Sequence, residues 1–117
     1  MNIQIKGKGM DLTDAIKDYV EKKIGGVEKF YDKIIGASVI VGKESNHHVK
    51  GEIFMCECKL DVPGKDLFAS KTEKDLYKAI DLVRDYLEAE LKKHKVMTRE
   101  KHRSDKREVR DSKEYKD

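Results

Sequence analysis

The sequence predicts an α+β fold, a two-layer sandwich in the order β-α-β-β-β-α, with a four-stranded sheet carrying two helices packed on one face. Three observations predict it. Residues 74–95, KDLYKAIDLVRDYLEAELKKHK, set Leu76, Ile80, Val83, Leu87 and Leu91 at spacings of three and four, the single apolar stripe of an amphipathic helix. A second helical face, with Ala15, Ile16, Tyr19, Val20, Val27, Phe30 and Tyr31, lies nearer the start of the chain. Between and around these faces lie short β-branched or alternating runs that read as strands. A sheet with one apolar face must bury it, and two amphipathic helices form the layer that does so.

Each element follows from local chemistry. Asn2–Lys6 alternates Ile3 and Ile5 with polar residues and reads as a short strand, after which Gly7 and Gly9 loosen the backbone. Thr13 is a good helix N-cap, and Asp14 and Asp18 suit the positive end of the helix dipole. A helix is expected from about Thr13 to Phe30, weak or kinked at Gly25-Gly26, since each interior glycine costs about 1 kcal/mol relative to alanine. Ile34–Lys43 reads as a strand with Ala37, Val39 and Val41 on one face. A polar turn, Glu44–His48, leads to a long strand, Val49–Asp61, in which Phe54, Cys56, Cys58 and Leu60 alternate with Met55, Glu57 and Lys59. Val62-Pro63-Gly64-Lys65 supplies a turn with glycine directly after proline, as a type II turn requires. A short strand, Asp66–Lys71, precedes the last helix, which is expected to open near Thr72 or Glu73.

At 117 residues the chain suits one domain with a modest core. The folded domain is expected over 1–95. Residues 96–117 contain Val96, Met97, Val109 and Tyr115 as their large hydrophobics, too few to offset the entropy of ordering. They read as a charged, disordered tail or a fraying extension of the helix. No apolar run reaches the ~20 residues of a bilayer span, and the opening MNIQIKGKG lacks the apolar stretch of a signal peptide, so a cytoplasmic chain is expected.

Charged residues make up 42% of the chain, yet the net charge is only +3, so any nucleic-acid reading must rest on local patches. Chemistry of other kinds has little support. Cys56 and Cys58, two apart in a strand, place their Cα atoms about 6.6–7 Å apart, at the limit for an unstrained disulfide, so reduced buried thiols are expected. His47-His48 invite a metal reading with those cysteines, but eight residues of strand from His48 to Cys56 span roughly 26 Å, far beyond one coordination sphere. Gly7-Lys8-Gly9 lacks the spacing of a phosphate loop, and no serine sits in a nucleophile elbow. Neither catalytic residues, nor a metal, nor a cofactor is expected, and the protein is read as a non-enzyme.

Three stretches together resemble the ribosome hibernation promoting factor and ribosome-associated inhibitor A family, also called sigma-54 modulation proteins. They are MDLTDAIKDYVEKKIGGVEKF (residues 10–30), the glycine turn at 62–65, and DLYKAID (residues 75–81) with the trailing Leu87, Leu91 and KKHK. The resemblance covers about the first 95 residues. It implies a double-stranded-RNA-binding-domain-like sandwich that binds the small ribosomal subunit and its 16S rRNA in the decoding channel. There it would block the A- and P-site tRNAs and mRNA and inhibit translation under stress or in stationary phase. It further implies a protein that is monomeric in isolation, with no membrane or small-molecule partner.

Carried onto this chain, the resemblance points to Lys17, Lys22, Lys23 and Lys29 on the first helix as rRNA-binding residues, and to Arg84, Lys92, Lys93, Lys95 and Arg99 on or beyond the second, with Lys101 and Arg103 extending the patch. The bland reading of the first set is a solvated helix face with i,i+4 pairs such as Asp18–Lys22. Clustered lysines at the end of a helix also suit its dipole. Asp75, Tyr77 and Asp81 read as structural. The chain departs from the family wording one turn before the terminal lysines, where relatives commonly carry a basic residue and a glutamine and this chain has Ala89 and Glu90 with Glu88 beside them, and at Gly26, where relatives often carry a charge. Two other readings compete: a double-stranded RNA-binding module, whose helix would need a basic N-terminus, and a protein-binding transcription modulator that uses the free face of the sheet.

Overall fold

A computed structural model describes the backbone of residues 1–44 and 51–111 and the side chains of 1–44 and 51–97. The expected turn at His47-His48 and the start of the long strand at Val49 lie outside the described residues. The elements run β1 (Asn2–Lys8), α1 (Asp14–Gly25), a 3₁₀ turn (Gly26–Phe30), β2 (Gly36–Glu44), β3 (Ile53–Val62), β4 (Lys65–Glu73) and α2 (Leu76–Asp111). The sheet order is β1-β2-β3-β4. β1 pairs parallel to β2, with Ile3 opposite Ala37 and Ile5 opposite Val39, while the other two pairings are antiparallel. A parallel pair needs a crossover, and α1 is that crossover.

Thr13 caps α1 as its side chain suggests: its Oγ1 accepts the Ile16 N–H at 3.2 Å, and its carbonyl accepts the Lys17 N–H at 3.0 Å. The glycine pair ends the α-helix rather than bending it. The Gly26 N–H still bonds to the Lys22 carbonyl, and the chain then tightens into the 3₁₀ turn. That turn sets Val27 and then Tyr31 into the core.

The core lies between the sheet and the two helices. Ile16, Val20 and Ile24 of α1 meet Ala37, Val39 and Val41 of β2, Cys56, Cys58 and Leu60 of β3, and Leu67 and Ala69 of β4. From α2, Ile80, Val83, Leu87 and Leu91 are fully buried, so the stripe read from the sequence is the seam that seats this helix. Both thiols are free and buried, and desolvation pushes each up to about 12.

Two local expectations are corrected. Thr72 and Glu73 belong to β4, where they pair with Met55 and Phe54, and α2 opens at Leu76. Asp75 serves as its cap: Oδ1 accepts the Tyr77 N–H and the carbonyl accepts the Ala79 N–H, both at 3.1 Å. The β3 ladder already satisfies the backbone of residues 72–73, so the helix waits for the aspartate. Met55, expected on the polar side of β3, is 4% exposed. Its partner in β2 is Gly42. A Cβ at Gly42 would stand 3.2 Å from the Met55 Sδ and 2.7 Å from the Lys8 carbonyl oxygen, so only glycine lets these groups approach.

α2 has 36 residues, about 54 Å at 1.5 Å per residue, and runs past Lys95 as a helical extension to Asp111. The division expected at residue 95 therefore falls inside one helix. Among the described residues, no helix is long and apolar enough to cross a membrane.

Candidate functional site

α1 and α2 lie side by side on the sheet, and their outward faces form a shallow groove. Two clusters cross it. In the first, the Tyr19 hydroxyl donates to Asp81 Oδ1 at 2.6 Å, and Lys23 Nζ lies 3.8 Å from the same oxygen and 5.5 Å from the Tyr19 ring centre. Tyr77 meets Tyr19 edge to face at 4.8 Å. The hydrogen bond to the Asp81 carboxylate, helped by burial, pushes the Tyr19 phenol up to about 12. Every charge in this cluster is used to join the helices, so Tyr77 and Asp81 are structural here, as Asp75 is at the cap.

The second cluster surrounds Phe30 at the end of the 3₁₀ turn. Lys29, Arg84 and Lys92 each place their cationic group over its ring, at 5.2, 5.3 and 5.1 Å from the centre. Arg84, Glu88 and Lys92 form one row on α2, spaced by four. Glu88 accepts from Lys92 at 2.8 Å and from Arg84, which also bonds Asp85 at 3.1 Å. The bond from Lys92, against some desolvation and with help from Arg84, holds the Glu88 carboxyl below the usual carboxylate range. Burial pulls the Arg84 guanidinium down, but its bonds to Asp85 and Glu88 outweigh that and raise it.

Spanning both clusters is a depression of about 400 Å³ lined by Lys22, Lys23, Gly26, Lys29, Asp81, Arg84 and Asp85. Four of its seven residues are cationic and two are anionic, so the floor is net positive. A Cβ at Gly26 would meet nothing within 4 Å, so glycine there leaves open space rather than relieving a clash. A second depression opens on the free face of the sheet, beside Asn2, Ser38 and Asp61, but there Lys59 is paired with Asp66 at 3.4 Å and the signs are mixed.

The structure brings together five of the residues expected to contact RNA: Lys22, Lys23, Lys29, Arg84 and Lys92. Lys17 is exposed on α1 but does not line the depression. Lys93 is exposed and pairs with Glu90 at 3.4 Å, and Lys95 is exposed two residues further along α2. The side chains of Arg99, Lys101 and Arg103 lie outside the described residues. The Asp18–Lys22 pair that a plain solvated helix face would hold is not formed, since Lys22 makes no ion pair among the described residues, while Lys23 pairs with Asp81 between the helices. Sequence reasoning missed Phe30 as the hub of the cations. Its neighbour Lys29 was a signal, but only the 3₁₀ turn brings the ring beneath α2. The arrangement suits an electrostatic and stacking surface for an anionic partner.

The sequence family described as sigma 54 modulation protein / S30EA ribosomal protein matches residues 3–99. The chain is 40% identical over 95 residues to the ribosome hibernation promoting factor of Azotobacter vinelandii, covering 81% of this chain and 83% of that one. It is 34% identical over 106 residues to the ribosome hibernation promotion factor of Bacillus subtilis, covering 88% of this chain but 53% of that longer protein. Among solved structures, the N-terminal domain of Thermus thermophilus Protein Y superposes with a TM-score of 0.71 at 33% identity, covering 80% of this chain and 99% of that one. A ribosomal subunit interface protein from Coxiella burnetii does so at 0.71 and 28% identity, covering 82% and 99%. With all of the sheet but Asn2, all of α1 and α2 as far as Arg99 inside the matched span, the chain belongs to the sigma 54 modulation protein / S30EA ribosomal protein family.

Proposed function

We propose that this protein is a ribosome hibernation factor that binds the small ribosomal subunit in the decoding channel, meets 16S rRNA with its helical face, and blocks tRNA and mRNA under stress or in stationary phase. One observation carries the reading: Lys22, Lys23, Lys29, Arg84 and Lys92, far apart in sequence, converge on one groove between the helices. The names of the relatives, hibernation factors and a subunit interface protein, point the same way.

The geometry suits such a task. A plug for a tRNA path needs rigidity, and the fully buried α2 seam provides it. Folded rRNA presents phosphates at fixed spacings, and a ridge of cations on a rigid body reads that shape with few base-specific contacts. Phe30 gathers the cationic ends of Lys29, Arg84 and Lys92 over one ring, so their fields add toward an approaching phosphate. Lys93 and Lys95 add exposed cations further along α2. No bond is made or broken in this action, so the protein works as a binding factor and not as an enzyme.

The test is co-sedimentation with purified small subunits and with intact ribosomes across a salt series. Stoichiometric binding that weakens steeply with salt, competes with tRNA and inhibits translation is expected, because each neutralised phosphate releases counterion. Absence of ribosome binding at low salt would overturn the reading. Equal affinity for any RNA duplex would favour a double-stranded RNA module, although α2 opens on Asp75 and its first-turn Lys78 is paired with Glu73, which leaves little net positive charge there for that role. Binding insensitive to salt would favour a protein-binding modulator.

A further inference from the structure

Glu88 stands between two of the groove's cations, one turn from each along α2. Its Oε2 accepts from Lys92 and its Oε1 from Arg84, so one carboxylate spans two cations that both lie over Phe30. The side chains of Arg84 and Glu88 are only 22% and 26% exposed, so this is not a loose, fully hydrated surface pair. Lys29 and Lys22 are exposed and make no ion pair among the described residues. The groove thus holds two kinds of cation: Lys22 and Lys29, open to solvent, and others already paired with an anion of the protein itself, Lys23 with Asp81 and both Arg84 and Lys92 with Glu88.

A carboxylate that offers one oxygen to each of two cations imitates two oxygens of a phosphodiester. A phosphate approaching Arg84 and Lys92 must displace Glu88 or accept its repulsion, and either lowers the gain from contact. An RNA that also engages Lys22 and Lys29 can offset that loss, whereas a polyanion that touches Arg84 and Lys92 alone cannot.

We propose that Glu88 is an internal counter-anion, displaced by an RNA phosphate on binding, that holds Arg84 and Lys92 in place and suppresses the groove's affinity for indiscriminate RNA. The proposal rests on the groove being an RNA surface, as in the preceding section. The test compares the wild type with Glu88→Gln, which keeps the shape and removes the charge. It measures binding to a short RNA duplex of unrelated sequence and to small subunits, each over a salt series.

Glu88→Gln is expected to bind the duplex about tenfold more tightly at low salt, with the slope of log K against log salt steeper by about 1, the release associated with one further phosphate contact. Affinity for small subunits should rise less, so the preference for ribosome over duplex falls. Adding Lys92→Gln should shrink the gain from Glu88→Gln to less than half, because one of the released cations is gone. Unchanged or weaker duplex binding by folded Glu88→Gln would overturn the proposal, and so would an equal gain with and without Lys92. Thermal melts establish that each variant is folded, and Glu88→Ala replaces Glu88→Gln if the glutamine variant melts early. The duplex measurement decides Glu88 whether or not ribosomes are bound, so its failure is distinguishable from failure of the hibernation reading.

Discussion

The two clusters that cross the groove use similar parts for different ends. At Tyr19, Lys23, Tyr77 and Asp81, a phenol donates to a carboxylate, a lysine flanks it and two aromatic rings pack edge to face. At Phe30, an aromatic ring carries three cations and one carboxylate ties two of them. The first cluster closes on itself, with its single acid held by a donor from the other helix. The second keeps an excess of positive charge that its acid only partly cancels. Aromatic and ionic contacts between helices therefore do not by themselves mark an interface. What marks one is the balance of charge left over after the internal partners are satisfied.

Breaking that comparison at its charged end should have the largest effect. Replacing Lys92, Lys93 and Lys95 together with glutamate should weaken binding to small subunits by about a thousandfold at low salt, since three phosphate partners become repulsive. The new acid at 92 would face Glu88 four residues away, at a cost of about 0.5 kcal/mol. Co-sedimentation reads the first effect, and a melting temperature within a few degrees of the wild type shows that folding is retained.

Next in size is the layer beneath both clusters. Leu87 is fully buried on the α2 seam, and Leu87→Ala should destabilise the fold by about 3 kcal/mol through lost transfer energy and a residual cavity. Chemical denaturation measures it. Ribosome binding should persist while the protein stays folded, which separates the scaffold from the surface.

The Tyr19 cluster should respond more mildly. Tyr19→Phe removes the donor to Asp81 and should cost about 1 kcal/mol, the lower end of the range for a bond to a charged acceptor because the site is partly exposed. Its signature is pH dependence. The folded phenol ionises at about 12 and the unfolded one near its ordinary 10, so this stabilisation is complete below pH 10 and lost as the pH rises through 12. The buried thiols, ordinarily near 9 and also pushed to about 12, add to the same alkaline loss. The difference between wild type and Tyr19→Phe in pH-dependent melts isolates the tyrosine, whereas ribosome binding at neutral pH should hardly change.

The smallest effect sharpens the comparison instead of breaking it. Gly26 has ordinary helical backbone angles, φ −64° and ψ −17°, and open space where a Cβ would stand. Gly26→Lys should fold normally, place a further cation at the depression, and tighten ribosome binding several-fold, with the salt slope steeper by about 0.7–0.9. A titration of small subunits at two salt concentrations checks it.

Much of this was legible in the chain because it is set by near neighbours. The Thr13 cap, the Pro63-Gly64 turn with Gly64 at φ 82°, and the α2 stripe all follow from spacing and backbone preference, as does a break at Gly25-Gly26, although the helix ends there where the sequence predicts only a weak or kinked point. The cations of the groove were legible as candidates, because lysine and arginine clusters stand out by type. Residues whose role depends on a partner in another strand or helix were not legible. Thr72 and Glu73 could begin a helix or end a strand, and hydrogen bonds to β3 decide for the strand. Met55 lies on the nominally polar side of β3, yet the gap at Gly42 shelters it.

The sequence by itself determined the element order, the family and the apolar seam, because helix and strand periods and turn chemistry act over a few residues. The i,i+4 row of Arg84, Glu88 and Lys92 could also be counted from it. Only the tertiary structure set that row beside Phe30 and Lys29, paired Lys23 with Asp81, and left Lys22 and Lys29 exposed. Electrostatic balance is a property of distances in space, and those exist only after the 3₁₀ turn and α2 have packed on the same sheet.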